Sequence, residues 1–75
     1  MRLTDLSIGS KGTVTAISGD HVLVERIREL GFVEGEVVVL AQRLLGADGH
    51  IVHIQNTSVA LRRDEAHCIE IARCP

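Results

Sequence analysis

The fold of this chain is decided by one stretch, residues 26–35, which reads Arg26-Ile27-Arg28-Glu29-Leu30-Gly31-Phe32-Val33-Glu34-Gly35. The stretch predicts the last turns of an amphipathic helix, a glycine stop at Gly31 and a glycine turn into a strand at Gly35. Glycine is favoured just past a helix end because a positive φ costs it little. Phe32 is the single aromatic residue of the chain, and we expect it to anchor the helix end in the core.

The body of this helix is predicted by the apolar spacing immediately upstream. Leu23, Ile27 and Leu30 recur at i, i+4 and i+7, which places them on one face of a helix covering residues 20–30. Asp20 suits the N-cap, because its carboxylate can accept an N–H group that the first turn leaves unpaired. A strand over residues 21–25 is the alternative, since the valines there are poor helix formers.

The first part of the chain predicts a lead segment and one strand. Residues 1–12 form a short segment with a turn, which Leu3, Leu6 and Ile8 are expected to fix onto the body of the protein. Residues 13–18 are rich in β-branched side chains and predict a strand. Val14 and Ile17 are three residues apart, so they share a face only if this strand contains a bulge or begins to turn early.

The chain downstream of residue 35 reads as short strands separated by turns. Strands are predicted at residues 37–41, 51–55, 58–62 and 69–71, with a loop at residues 44–49, a two-residue turn at Asn56-Thr57 and one helical turn at residues 64–67 capped by Asp64. Strand alternation places Val38 and Leu40 on one face and Val37 and Val39 on the other. The expected fold class is therefore mainly β: a small five-stranded barrel with one inserted α-helix at about residues 20–30 and a short helical turn near residues 64–67.

Length, charge and composition restrict the class of protein. The 75 residues carry a net charge of −2 and predict a single domain, residues 1–75. A basic surplus and aromatic platforms are what nucleic-acid binding requires, so we expect no nucleic-acid partner. No apolar run approaches the length of a membrane helix and no signal peptide begins at Met1, so we expect a cytoplasmic protein, without membrane insertion and with reduced thiols.

Catalytic and metal sites are not predicted. Serine, histidine and aspartate are present without the spacing of a nucleophile and its base, so we expect no catalytic residue, no cofactor and no enzyme. A structural metal site needs about four converging ligands, whereas His50 and His53, three apart on a strand, should face opposite sides. A metal-binding carrier or iron-sensing module remains the alternative function. Its ligands would come from the four histidines and two cysteines, namely His21, His50, His53, His67, Cys68 and Cys74.

An exposed apolar face is the candidate surface for a protein partner. Val37 and Val39 share the outward side of their strand, and Val22 lies off the core stripe of the helix. If the three valines converge they form a patch of the kind that marks interaction sites, although single exposed valines need no explanation. The candidate partner-binding residues are Val22, Arg26, Phe32, Val37 and Val39; for Phe32 the alternative is a purely structural role in the core.

Two sequence motifs resemble the FeoA family over nearly the whole chain, from Leu3 to Ile71. They are the stretch at residues 26–35, followed by the Val38/Leu40 strand, and the run Val59-Ala60-Leu61-Arg62-x-x-Glu65-Ala66-x-x-Ile69-x-Ile71. The resemblance implies an SH3-like barrel with an added helix, in a non-enzymatic accessory protein of bacterial ferrous iron uptake. It implies as partner FeoB, a membrane transporter with a cytosolic GTP-binding part. The motif positions expected to be structural are Leu30, Gly31, Gly35, Leu61, Arg62 and Ala66.

Overall fold

The computed structural model describes residues 1–44 and 49–74. In chain order it contains a 3₁₀ turn at Leu3–Asp5, strand β1 at Lys11–Ile17, helix α1 at His21–Glu29, strands β2 at Val37–Leu44, β3 at Gly49–Ile54 and β4 at Thr57–Arg62, helix α2 at Arg63–His67 and strand β5 at Ile69–Arg73. The strands form one antiparallel sheet in the order β4-β3-β2-β1-β5. The predicted mainly-β class with one inserted helix is confirmed.

Helix α1 begins and ends as the sequence predicts. An Asp20 carboxylate oxygen accepts the N–H of Leu23 at 2.9 Å, so Asp20 is the N-cap and the alternative of a strand over residues 21–25 is wrong. At the other end, the N–H groups of Gly31 and Phe32 donate to the carbonyls of Arg28 (3.0 Å) and Ile27 (3.4 Å). These two bonds form a Schellman motif, which requires a left-handed residue, and Gly31 has a φ of +108°.

The core face of α1 differs from the predicted stripe at its last position. Ile27 is fully buried and Leu23 packs against the core, but Leu30 is open to solvent, with 40% of its surface exposed. The helix ends at Glu29, and the chain reverses at Gly31. This reversal places Phe32 in the buried core cluster with Ile27, whereas Leu30 stays at the surface.

Strand β2 alternates as predicted and is longer than predicted. Val38 and Leu40 are fully buried, Val37 is exposed and Val39 is half-buried. The strand continues to Leu44, which pairs with Gly49 of β3. Both ends of the predicted loop at residues 44–49 therefore belong to strands, and its interior lies outside the described residues.

Strand β1 contains the bulge that the spacing of its apolar residues suggested. Its register with β5 shifts between Val14 and Ala16. Val14 is buried and Ile17 packs against the core, so the extra residue brings both side chains to the same face.

The lead segment is attached by two of the three residues predicted to fix it. Leu3 and Leu6 are buried, whereas Ile8 is 57% exposed, so the prediction for Ile8 is wrong. Backbone bonds hold this part of the segment instead: the N–H of Gly9 donates to the carbonyl of Leu40 at 2.7 Å. The apolar side chain of Ile8 is therefore not needed for attachment.

The hairpin turn before β4 lies one position earlier than predicted, and the cap of the helix after β4 lies two positions earlier than predicted. Ile54 pairs with Thr57, so the hairpin turn consists of Gln55 and Asn56, and Gln55 carries the positive φ, +56°. A two-residue hairpin needs that conformation at its first central position, and the register assigns the position to Gln55. Helix α2 has Arg62 at its N-cap, so the prediction that Asp64 caps it is wrong.

Candidate partner-binding surface

Three exposed apolar side chains lie where α1 passes into β2. Leu30, Val33 and Val37 are 40%, 37% and 48% exposed, and we call them the junction surface. The connection is tight, since the N–H of Glu36 donates to the carbonyl of Val33 at 3.1 Å and that of Gly35 to the carbonyl of Val14 at 2.8 Å. Of the three, the sequence indicated only Val37; Leu30 was expected inside and Val33 carried no periodic signal.

A charged pair borders the junction surface. Both terminal nitrogens of Arg28 donate to the carboxylate of Glu34, at 2.7 and 3.0 Å, which ties the last turn of α1 to the turn that follows it. The hydrogen bond and charge of Glu34 raise the pKa of Arg28 above its ordinary value, and the Arg28 hydrogen bond lowers the pKa of the Glu34 carboxyl. Both side chains are nearly half exposed, so solvent screens much of this attraction.

Val37 and Val39 both lie on the outer face of β2. Val37 pairs with Thr13 of β1, and Val39 pairs with Lys11 of β1 and His53 of β3. Side chains opposite one another in an antiparallel ladder share a face. Val39 is therefore half-covered by longer polar neighbours, and Val37 is the more accessible of the two valines.

Val22 lies at the opposite end of α1 from Leu30. It is 76% exposed in the first turn of α1, and the rise of the helix places it roughly 12 Å along the axis from Leu30. Within residues 1–44 and 49–74, no strand register or hydrogen bond connects it to β2. The convergence of Val22 with Val37 and Val39 therefore stays a prediction.

The other two candidate partner-binding residues occupy different environments. Phe32 is fully buried in the core, and we correct its assignment: it holds the helix end and offers no surface to a partner. Arg26 reaches towards α2, where its Nε lies 3.4 Å from a carboxylate oxygen of Glu65. Its side chain is 64% exposed, against 7% for that of Glu65.

The residues expected to be structural fall into three groups. Gly31 and Gly35 have positive φ values, +108° and +96°, at the two ends of the junction. Leu61 and Ala66 belong to the buried core cluster. Arg62 supplies the backbone N–H that Glu65 accepts at the start of α2, and Leu30 is exposed as described above.

The potential metal ligands are dispersed in the described part of the chain. Among those residues no three or more His, Cys, Asp or Glu side chains are placed to hold one ion. His50 is buried and His53 is exposed, as expected for inward and outward positions of β3. Burial raises the pKa of the Cys68 thiol, and the negative charge of Asp64 raises it further. In the described residues, no helix is long and apolar enough to cross a membrane.

Known proteins match this chain along almost all of its length. The family model described as the FeoA domain matches residues 1–73. A curated relative, the Fe(2+) transport protein A/Fe(2+) transporter FeoB fusion protein of Porphyromonas gingivalis, is 34% identical over 71 residues; the match covers 95% of this chain and spans only 8% of that relative.

Solved structures agree in fold. Iron(II) transport protein A from Clostridium thermocellum has a TM-score of 0.90 at 29% identity, covering 97% of this chain and 45% of that one. The FeoA of Stenotrophomonas maltophilia, solved in complex with zinc and called an SH3 domain protein, has a TM-score of 0.82 at 29% identity, covering 96% of this chain and 89% of that one. The chain belongs to the FeoA family, and its five-stranded fold is the SH3-like fold that the sequence motifs implied.

Proposed function

We propose that this protein is a non-enzymatic accessory of ferrous iron uptake that binds a FeoB-like membrane transporter through its cytosolic GTP-binding part. The observation that carries the proposal is the Porphyromonas gingivalis relative, in which the region similar to this chain and the transporter FeoB form one polypeptide. Fusion places two modules at an effective concentration of roughly millimolar, where even a weak contact is occupied.

The junction surface is the strongest candidate for the contact with the FeoB-like transporter. Leu30, Val33 and Val37 present apolar area, and the Arg28–Glu34 pair lies at its border. An apolar centre with a polar rim is the usual arrangement of interfaces between proteins. Three partly exposed side chains favour a modest, reversible contact, which suits an accessory that modulates a transporter.

The test is direct binding to the purified cytosolic part of the FeoB-like transporter from the same organism. We expect Val37→Asp to weaken binding at least about tenfold, since a carboxylate must then be desolvated against an apolar partner surface. The matched control is Ile8→Asp, because Ile8 is also a β-branched, exposed residue (57%) but lies outside the junction surface. Its affinity should remain within about twofold of the wild type, as for a surface substitution away from the contact.

Folding and turnover complete the experiment. Circular dichroism and thermal unfolding should show that both variants keep the native fold, and GTP hydrolysis by the transporter part should change on adding wild-type protein but not Val37→Asp. If Val37→Asp and Val33→Asp both bind like the wild type, the junction surface is not the contact. If the wild type itself does not bind, the proposed partnership is wrong.

A further inference from the structure

A buried carboxylate joins the two helices. Glu65 is 5% exposed, and one of its oxygens accepts the backbone N–H of Arg62 at 2.8 Å, which closes the first turn of α2. Its other oxygen faces α1, where the Nε of Arg26 lies 3.4 Å away. A single side chain thus caps one helix and pairs with the other.

The attachment of α1 depends on few buried groups. Ile27 is its one fully buried residue, with Leu23 packed partly against the core. Arg26 directly precedes Ile27, so the ion pair acts next to this apolar contact. A buried carboxylate that loses its cation is costly, because the charge has been removed from water without compensation. The pair therefore favours the arrangement in which α1 stays close to α2.

We infer that Arg26 is a positioning residue, which holds α1 on the barrel through Glu65 and so fixes the orientation of Leu30 and Val33 on the junction surface. This inference rests on the proposed function, because it assigns Arg26 an indirect role in partner binding. The competing role is direct contact with the partner, which the exposure of the Arg26 side chain also permits. The two roles differ in whether the effect of Arg26 depends on Glu65.

Glu65→Gln separates the ion pair from the helix cap. A glutamine side-chain oxygen can still accept the Arg62 N–H, while the negative charge facing Arg26 disappears. Arg26→Ala leaves the buried Glu65 carboxylate without its cation and could fold poorly for that reason. Glu65→Gln breaks the same ion pair without leaving a buried charge, so it tests the inference even then. Arg73→Ala on β5 is the control for losing one exposed positive charge.

The test is a double-mutant cycle measured with the cytosolic part of the FeoB-like transporter. We expect Arg26→Ala and Glu65→Gln each to weaken binding about three- to tenfold. The dissociation constant of the double variant should lie within about twofold of that of the single variant that binds less tightly. Arg73→Ala should bind like the wild type. If Arg26→Ala weakens binding by the same factor in the Glu65→Gln background as in the wild-type background, Arg26 contacts the partner directly and the inference is overturned.

Amide hydrogen exchange of the free protein provides a readout that does not need the partner. The amides of α1 should exchange faster in Arg26→Ala, in Glu65→Gln and in the double variant, by a similar factor, while those of β3 stay protected as in the wild type. Unchanged α1 exchange in both single variants would overturn the inference. If wild-type protein fails to bind the transporter part, the proposed function fails, and the exchange data alone decide whether the ion pair holds α1.

Discussion

Replacing Gly31 with alanine tests the argument that the helix end decides the fold. Gly31 has a φ of +108°, and its N–H and that of Phe32 close the Schellman motif. An added Cβ would meet only the terminal methyl carbon of Ile54, at 3.9 Å, which is an ordinary contact. The cost of Gly31→Ala should therefore come from backbone strain, roughly 1–2 kcal/mol for a left-handed residue with a side chain.

This cost is large for a chain of this length. A domain of 75 residues has a free energy of unfolding of about 4–11 kcal/mol. At about 4–8 °C per kcal/mol, Gly31→Ala should lower Tm by roughly 5–15 °C. With a urea m-value of about 1–3 kcal/mol/M, the urea midpoint should fall by about 0.3–2 M. Calorimetry and urea unfolding followed by circular dichroism measure both quantities. A free energy within about 0.5 kcal/mol of the wild type would refute the reasoning.

Measuring Gly31→Ala in an Ile54→Val background shows whether backbone strain or side-chain crowding causes the loss of stability. Ile54→Val removes the methyl carbon nearest to the added Cβ and should itself cost about 0.5–1.5 kcal/mol. If strain dominates, Gly31→Ala has the same effect in both backgrounds and the costs add. If the alanine is destabilising because it crowds Ile54, its cost should shrink in the valine background, and backbone strain at Gly31 would not be the cause.

Two further predictions follow from the perturbed ionisations. Because burial raises the pKa of Cys68, its thiol in a Cys74→Ser variant should react more slowly with iodoacetamide at pH 8 in the native state than in urea; equal rates would contradict this. Because the pKa of the Glu34 carboxyl is lowered in the folded protein, its ion pair with Arg28 stabilises the fold at pH values above the ordinary carboxyl pKa of 4.5. This stabilisation is lost as the pH falls through the pKa that Glu34 has in the folded protein. The small Tm advantage of the wild type over Glu34→Gln should therefore be seen at neutral pH and disappear on acidification, and an advantage that persists in acid would exclude the ion pair with Arg28 as its source.

Local periodicity predicted most of the sheet because strand geometry leaves little freedom. Once Val38 points inward, Val37 and Val39 must point outward, whatever the rest of the fold. Periodicity gave a wrong prediction at Leu30, which it placed on the buried face of α1. The apolar spacing extends to Leu30, but the helix ends at Glu29 and the chain reverses at Gly31. Here Phe32, two residues later, fills the core.

Features that depend on register or on distant segments could not be read from the sequence. Asn56 was the better chemical choice for a positive φ, but the pairing of β3 with β4 gave that conformation to Gln55. The contact of Arg26 with Glu65 joins residues of two separate motifs, and no local pattern connects them. The observed candidate surface differs from the predicted one for the same reason. The exposure of Leu30 and Val33 depends on how α1 packs against the sheet, which no local pattern shows.

The pairing of the first residues with the last strand has a consequence for covalent architecture. The carbonyl of Met1 accepts the N–H of Ile71 at 2.7 Å, and Arg2 forms an isolated bridge with Glu70. The first residues thus run beside β5 and cover part of its edge, which would otherwise be open to strand pairing with other chains. A polypeptide joined before Met1 would therefore begin beside β5, the last strand of the sheet.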